Sequence, residues 1–187
     1  KIKIIFFGTH KFAATILQGL ADCPFIEVVQ VITQPNEPVG RKQILTPPPV
    51  KILADKLAIT TQQPTTLKNF QFIPTLGGTK LFIVAQYGKI IPQNIIDAPQ
   101  YGIINIHASL LPKYRGASPI QFTLINCETE TGVTIMQMNA GMDTGPLLLQ
   151  KKIDILPNET YLELEKRLAV LGLEALLQTI PPYLDGT

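Results

Sequence analysis

The chain has 187 residues, a length typical of a single domain, and 45% of them are hydrophobic, which is enough for a sizeable core. The formal net charge of +2 gives no bulk electrostatic basis for nucleic-acid binding, so any such contact must be local. The apolar run at the N-terminus is too short for a signal peptide or a membrane span. Cys23 and Cys127 lack the spacing of a metal or redox motif. We therefore expect a soluble, cytoplasmic protein with two reduced, buried thiols.

The first part of the chain predicts alternating strands and helices. An apolar run over residues 2–7 indicates a strand, residues 12–20 carry apolar side chains at helical spacing, and residues 25–32 form a second strand rich in valine and isoleucine. Strand, helix and strand in this order are typical of a βαβ unit and a parallel sheet. The first turn holds Gly8 alone rather than a GxGxxG pattern, so a dinucleotide cofactor is poorly supported.

Residues 34–49 contain five prolines, which excludes a regular helix or a central strand. We therefore predict a long irregular loop, and such loops in compact domains are usually functional or disordered. Arg41 and Lys42 lie at its middle, where they could bind a phosphate group. A solvated loop tip is an equally good interpretation of these two residues.

Four further segments are predicted in the middle of the chain: a helix over residues 50–57, a strand over 59–62, a possible helix within 64–78, and a buried strand over 81–85. Gln86, Tyr87 and Gly88 follow the last of these strands. Ligands of open α/β sheets bind beyond the carboxyl ends of the strands, so these residues are a candidate edge of a pocket. A plain turn with Gly88 as its flexible residue is the alternative.

Residues 103–107 predict a buried strand that carries two polar side chains, Asn105 and His107, on one face. A buried polar group without a partner costs about 1–3 kcal/mol, so the pair implies a partner or a site. An amide beside an imidazole could stabilise an oxyanion and transfer a proton. A lone histidine in an apolar strand is more often a core residue, which is the alternative for His107.

The rest of the chain predicts three elements. The first is a helix from Ser118 to about Asn126, and the second is an antiparallel hairpin of strands over residues 133–138 and 147–153. The third is a long helix over 160–177, which is capped by Asn158 or Thr160 and stopped by Pro181 and Pro182.

Asp143 lies in the hairpin turn between Gly141 and Gly145, which let that turn approach another strand closely. It is therefore the candidate carboxylate partner of His107. The alternative for Asp143 is a hairpin-tip residue that bonds its own backbone. No metal site is predicted, because the chain has two histidines, no cysteine cluster and no HExxH motif. The residues alone thus predict an α/β enzyme that uses acid–base and oxyanion chemistry on an unnamed substrate.

Several motifs in the same order resemble the 10-formyltetrahydrofolate-dependent formyltransferases. Asn105 and His107, followed by Ser109-Leu110-Leu111-Pro112 and then Asp143, are similar to the Asn/His/Asp set of that family. Finer features resemble the branch that acts on methionyl initiator tRNA, and they are Gln34-Pro35-x-x-Pro38-x-Gly40-Arg41, Thr46-Pro47-x-Pro49-Val50-Lys51, Tyr87-Gly88-x-Ile90-x-Pro92 and Tyr114-Arg115-Gly116-Ala117-x-Pro119-Ile120-Gln121.

The resemblance implies an α/β, Rossmann-like formyltransferase fold with a mostly parallel sheet and a C-terminal antiparallel hairpin. It implies that residues 1–187 are the catalytic domain and that the family's C-terminal tRNA-binding β-barrel domain is absent from this chain. We expect a monomer that uses 10-formyltetrahydrofolate as formyl donor and needs no metal.

By the same resemblance, the α-amine of methionine on initiator tRNA attacks the formyl carbon of the folate. Asn105 and protonated His107 would bind the developing oxyanion, and Asp143 would support protonated His107 and help to move the proton to the folate nitrogen. The pterin would lie near two segments, Gln86-Tyr87-Gly88 and Ser109-Leu110-Leu111-Pro112. Arg41, with Lys42, would contact the acceptor end of the tRNA.

Two rival functions stay open from the sequence. Another member of the family, acting on a sugar amine or a purine precursor, would share Asn105, His107 and Asp143 and differ at the loop of Arg41. A non-catalytic folate- or nucleotide-binding module would keep its function after Asn105→Ala or His107→Ala.

Overall fold

The computed structural model describes residues 1–73 and 78–186, which form a seven-stranded sheet with packed helices and a separate two-stranded ribbon. The strands are β1 (Ile2–Gly8), β2 (Ile26–Ile32), β3 (Glu37–Val39), β4 (Ile44–Thr46), β5 (Thr61–Gln62), β6 (Leu81–Ala85), β7 (Ile103–His107), β8 (Glu130–Gln137) and β9 (Leu147–Asp154). The helices are α1 (Lys11–Asp22), α2 (Pro49–Lys56), α3 (Gln93–Ile96), α4 (Pro119–Ile125) and α5 (Tyr161–Asp185).

The main sheet has the order β5-β2-β1-β6-β7-β8-β9. The strands from β5 to β7 pair in parallel, whereas β8 is antiparallel to β7 and β9 is antiparallel to β8. The predicted α/β fold, with a mostly parallel sheet and a C-terminal antiparallel hairpin, is confirmed. The chain order reverses between β1 and β6, and the crevice at such a reversal is where open α/β sheets bind ligands.

Alternating side chains along β7 separate two hydrophobic cores. Ile104 and Ile106 pack in the larger core with α1 and α5, whereas Ile103 belongs to the smaller core that includes α3. Asn105 and His107 continue the row of Ile103, because successive side chains of a strand point to opposite faces. The two polar residues therefore share the face opposite α1 and α5, as predicted.

Residues 34–49 are more regular than the predicted loop. Residues 37–39 and 44–46 pair as antiparallel strands, with Pro38 opposite Leu45. A proline is tolerated there because each strand of a two-stranded ribbon has one edge without a partner strand, where a missing N–H costs little. The prediction of an irregular loop was therefore wrong for this ribbon, although no central strand or helix forms within 34–48.

Helix α5 continues through Pro181 and Pro182, so the prediction that these prolines stop it was wrong. Each proline removes one backbone donor, but both lie in the final turns, where tertiary contacts compensate. The Tyr183 hydroxyl donates to the Tyr101 carbonyl at 2.5 Å and ties this turn to the residues before β7. The helix ends at Gly186, whose φ of 77° is the left-handed conformation that glycine accepts readily.

The structure differs from the sequence predictions at three other places. Cys23 is buried, but Cys127 is exposed, so the expectation of two buried thiols was wrong for Cys127. The possible helix within 64–78 does not form in residues 64–73, and residues 74–77 lie outside the described residues. Helix α3 was missed because a single turn is too short to show a helical period. None of the helices in the described ranges is long and apolar enough to cross a membrane.

A capping box starts α5 at Thr160, one of the two predicted caps. Its backbone N–H donates to Glu163 Oε2 at 2.8 Å, and its Oγ1 accepts from the Glu163 N–H at 3.4 Å. Thr160→Ala is expected to lower the free energy of unfolding by about 1 kcal/mol, measured by urea denaturation. Thr65→Ala is the control: this exposed threonine lies outside the helices and strands, and a change within about 0.5 kcal/mol is expected. Equal losses in both variants would contradict a role for the cap.

Candidate active site

The segments that follow β1 and β6 are tied together at the reversal of the sheet. Thr9 Oγ1 donates to the Tyr87 carbonyl at 2.8 Å, and Gln34 Nε2 donates to the same carbonyl at 2.8 Å. The predicted segment of Gln86, Tyr87 and Gly88 thus lies where a ligand of an α/β sheet is expected.

Within this segment the Tyr87 side chain belongs to the protein interior. Its ring packs edge-on against Phe7 with 5.5 Å between centroids, and burial raises the pKa of Tyr87 to about 12. The Tyr87 hydroxyl and Gln86 Oε1 are buried without a hydrogen-bond partner in the described part of the chain. Gln86 and Gly88 both have positive φ, 42° and 80°. Gln86 and Tyr87 thus each bring to this segment one polar side-chain atom that has no partner among the described residues.

Asn105 lies in the sheet between Val84 of β6 and Met136 of β8. Its side chain is half-buried, and its amide makes no hydrogen bond to any residue in 1–73 or 78–186. The amide therefore keeps both donors and its acceptor for a ligand.

His107 is buried and is held from both sides. Its Nε2 lies 2.8 Å from the Tyr114 carbonyl, which can only accept, so this nitrogen carries a hydrogen and donates. Its Nδ1 lies 3.6 Å from Asp143 Oδ2, within ion-pair range but longer than a hydrogen bond. Both ring nitrogens therefore face oxygen atoms of the protein.

The turn between β8 and β9 brings Asp143 to His107, as predicted. Asp143 has a φ of 50°, and its Oδ2 accepts from the Gly116 N–H at 2.7 Å. The side chain that bonds the turn's own backbone is Asn139, whose Oδ1 accepts from the Gly141 N–H at 3.0 Å. The carboxylate of Asp143 thus points to the site rather than closing its own turn.

Sequence reasoning missed the contribution of residues 113–116. The Tyr114 carbonyl binds His107, and the Gly116 N–H binds Asp143. Tyr114 has a φ of 56°, a left-handed conformation that costs a non-glycine residue about 1–2 kcal/mol. Tyr114 and Gly116 belong to one of the motifs that resemble the family, but residue types do not show which backbone groups make contacts.

The segment from Ser109 to Pro112 is fixed by side chains of β8 and β9. Thr134 Oγ1 donates to the Ser109 carbonyl at 2.6 Å and accepts from the Leu111 N–H at 3.1 Å. Gln150 Nε2 donates to the Leu111 carbonyl at 2.9 Å. Three backbone groups of the segment near which the pterin was expected are thus bound within the protein. The half-buried side chain of Leu110 and the exposed Pro112 are the parts of the segment that reach solvent.

Arg41 and Lys42 lie exposed at the tip of the β3–β4 ribbon. Apolar side chains on both of its strands are exposed as well: Val39 at 55%, Ile44 at 61% and Leu45 at 64%. The base of the ribbon is close to the crevice, because the N–H of Val50 in α2 donates to the Thr9 carbonyl at 3.3 Å. The helix that follows the ribbon is therefore tied to the segment after β1.

A comparison with protein families gives the decisive observation, since the model described as formyl transferase matches residues 1–180. The chain belongs to the formyl transferase family. The resemblance inferred from the motifs is thereby confirmed.

Two relatives in the family are named methionyl-tRNA formyltransferase. The protein of Caldicellulosiruptor saccharolyticus is 49% identical over 180 residues, which cover 95% of this chain and 58% of that protein. The protein of Dictyoglomus thermophilum is 46% identical over 188 residues, which cover 99% of this chain and 60% of that protein. The chain thus spans well under two thirds of the length of these relatives.

Solved structures of formyl transferases share the fold at low identity. Glycinamide ribonucleotide transformylase 1 from Symbiobacterium toebii has a TM-score of 0.76 at 21% identity, covering 99% of this chain and 88% of that chain. The N-formyltransferase from Helicobacter canadensis, solved with folinic acid and dTDP-3-aminofucose, has a TM-score of 0.71 at 21% identity, covering 100% of this chain and 65% of that chain.

Proposed function

We propose that this formyl transferase passes the formyl group of 10-formyltetrahydrofolate to the α-amine of methionyl initiator tRNA. The observation that carries the proposal is the free amide of Asn105 on the same strand face as the His107–Asp143 pair. The identity of 46–49% to proteins named methionyl-tRNA formyltransferase favours this acceptor within the family.

In the proposed reaction the amine nitrogen bonds to the formyl carbon, and the bond from that carbon to the folate nitrogen breaks. The proton that the amine loses goes to the folate nitrogen. Asn105 donates a hydrogen bond to the formyl oxygen as it becomes an oxyanion. Asn105 and His107 are two residues apart on β7, about 7 Å along the strand, so both can act on one small group.

His107 differs from its expected role in one respect. Both of its ring nitrogens face protein oxygens, so it would stabilise the oxyanion by its charge rather than by a direct hydrogen bond. Asp143 balances that charge and, at 3.6 Å, is close enough to form a hydrogen bond after a small movement. Catalytic hydrogen bonds are often long before substrate binds and tighten afterwards.

The folate would lie beyond the carboxyl ends of β6 and β7, next to the crevice between β1 and β6. Gln86 and the backbone at Gly88 would form the side that follows β6, and Leu110 and Pro112 would contribute surface on the side that follows β7. The folinic acid in the Helicobacter canadensis structure supports a formylated folate as the class of donor. We further propose that residues 1–187 form the catalytic domain and that the protein acts in the cytoplasm as a monomer without a metal.

The exposed cations of the ribbon would bind the acceptor end of the tRNA. Arg41→Ala is expected to raise the KM for methionyl-tRNA and to lower the slope of log affinity against log salt by about 1, because one phosphate contact is lost. The KM for the folate should not change. Steady-state transfer at several salt concentrations measures both quantities.

Lys56→Ala is the matched control for Arg41→Ala. This exposed lysine lies at the end of α2 and not on the ribbon, so its removal should leave the KM for methionyl-tRNA unchanged. If Arg41→Ala behaved like this control, the proposed role of the ribbon would fail.

The acceptor itself is tested by transfer of labelled formyl from 10-formyltetrahydrofolate to three amines: methionyl initiator tRNA, glycinamide ribonucleotide and a dTDP-amino sugar. We expect transfer to the tRNA alone. Transfer to either other amine, with none to the tRNA, would overturn the proposal in favour of another member of the family.

A further inference from the structure

The loop of residues 113–116 holds both members of the buried pair through its backbone. The carbonyl of Tyr114 accepts from His107 Nε2 at 2.8 Å, and the N–H of Gly116 donates to Asp143 Oδ2 at 2.7 Å. The position of this loop therefore sets how the His107 ring is turned and where the carboxylate lies relative to it.

The loop is anchored at a distance from the pair by the side chain of Tyr114. Its hydroxyl donates to Glu128 Oε1 at 2.6 Å and accepts from Asn126 Nδ2 at 2.9 Å. Lys113 Nζ lies 3.2 Å from the same Glu128 oxygen. The N–H of Glu128 in turn donates to the Thr123 carbonyl of α4 at 3.2 Å. The loop is thus tied to the C-terminal end of α4.

Tyr114 needs such an anchor because of its backbone conformation. A φ of 56° is disfavoured for a residue with a Cβ and persists where the surroundings enforce it. A relaxed Tyr114 would rotate its peptide group and turn the carbonyl away from His107 Nε2. Hydrogen bonds from Tyr114 and Lys113 lower the pKa of Glu128, so this acceptor is a carboxylate at neutral pH.

We propose that Glu128 is a positioning residue: by binding the Tyr114 hydroxyl, it keeps the Tyr114 carbonyl on His107 Nε2 and so holds Nδ1 toward Asp143. The inference rests on the proposed formyl transfer. Glu128 and the Tyr114 hydroxyl meet at the end of α4 and not in the crevice between β1 and β6. Their loss should therefore slow the chemical step and leave substrate binding unchanged.

Three variants test the anchor in steady-state formyl transfer. Glu128→Ala is expected to lower kcat about 10- to 100-fold, as small misplacements of a catalytic group do. Its KM for either substrate should stay within about twofold of the original value, since ground-state binding is kept. Glu128→Gln retains an oxygen that accepts from the Tyr114 hydroxyl and is expected to restore most of the lost turnover.

Lys113→Met is the matched control, because it removes the ion pair to Glu128 and leaves the Tyr114–Glu128 hydrogen bond in place. Its turnover should stay within about twofold of the original. If turnover fell as far in Lys113→Met as in Glu128→Ala, the proposal would be overturned. The effect of Glu128 would then come from its ion pair with Lys113 and not from its hydrogen bond with Tyr114.

The ring of His107 supplies a readout that does not depend on turnover. The chain has only two histidines, His10 and His107, so ¹⁵N and ¹H spectra of both rings are simple to assign with a His10→Gln variant. We expect a protected Nε2–H signal from His107 that Glu128→Ala abolishes and Glu128→Gln retains. A His107 signal unchanged in Glu128→Ala would overturn the proposal.

The two readouts separate this proposal from the proposed function. If the original protein transfers no formyl group to methionyl-tRNA, the proposed function is wrong. The spectra of the His107 ring still test the proposed role of Glu128 in that case. If the original protein is active but Glu128→Ala is equally active, the anchor fails and the function stands. Thermal unfolding of each variant shows whether it is folded. If Glu128→Ala is not folded, the turnover and the His107 signal of Glu128→Gln test the proposal, and the loss of either in a folded Glu128→Gln would overturn it.

Discussion

Replacement of Asn105 by alanine is expected to lower kcat for formyl transfer about 10²- to 10³-fold, the usual effect of removing one oxyanion donor. The amide is the one side chain of β7 that faces the crevice side with its hydrogen-bonding capacity unused among the described residues. Because it binds nothing inside the protein, its loss should leave the free energy of unfolding almost unchanged. Steady-state kinetics and urea denaturation of the same sample measure the two effects.

Two further variants make the result specific. Asn105→Asp keeps the shape of the side chain but replaces its donor by a negative charge, so turnover should fall at least as far as in the alanine variant. Asn94→Ala removes an exposed asparagine of α3 and should leave kcat unchanged. Full turnover in Asn105→Ala would contradict the assignment of this amide as the oxyanion donor.

The parts of the site that the sequence predicted are those fixed by local geometry. Asn105 and His107 share a face because strand side chains alternate, and alternation is visible in a single sequence. Asp143 was found because flanking glycines predict a turn that can approach a neighbouring strand closely. In both cases the residue types carry the information.

The parts of the fold and of the site that the sequence could not predict depend on contacts between distant segments. The Tyr114 carbonyl and the Gly116 N–H bind His107 and Asp143, yet any residue type has these backbone groups. Thr134, from another strand, binds the Ser109 carbonyl and the Leu111 N–H in the segment near which the pterin was expected. Helix α5 continues through Pro182, and the next residue, Tyr183, bonds to a residue 82 positions away, a contact that the local sequence does not reveal.

The same dependence on distant contacts makes one glycine of β8 critical for stability. A Cβ on Gly132 would meet the Lys151 carbonyl of β9 and would lie 2.6 Å from Leu110 Cδ2. The first obstacle is backbone in a paired strand, which cannot rotate away as a side chain can. Gly132→Ala is therefore expected to lower the free energy of unfolding by about 3 kcal/mol, the upper range for overpacking. Urea denaturation measures this loss.

Gly19→Ala is the matched control for Gly132→Ala. There the three nearest neighbours of the new Cβ would be side-chain atoms of the half-buried Leu173, which can move, and alanine is the better helix former by about 1 kcal/mol. Its stability should therefore stay close to that of the original protein. The shift of β9 in Gly132→Ala should also disturb Gln150, which holds the Leu111 carbonyl, so turnover of the folded fraction should fall as well. Equal stability of the two variants would contradict the assigned contact between Gly132 and the backbone of β9.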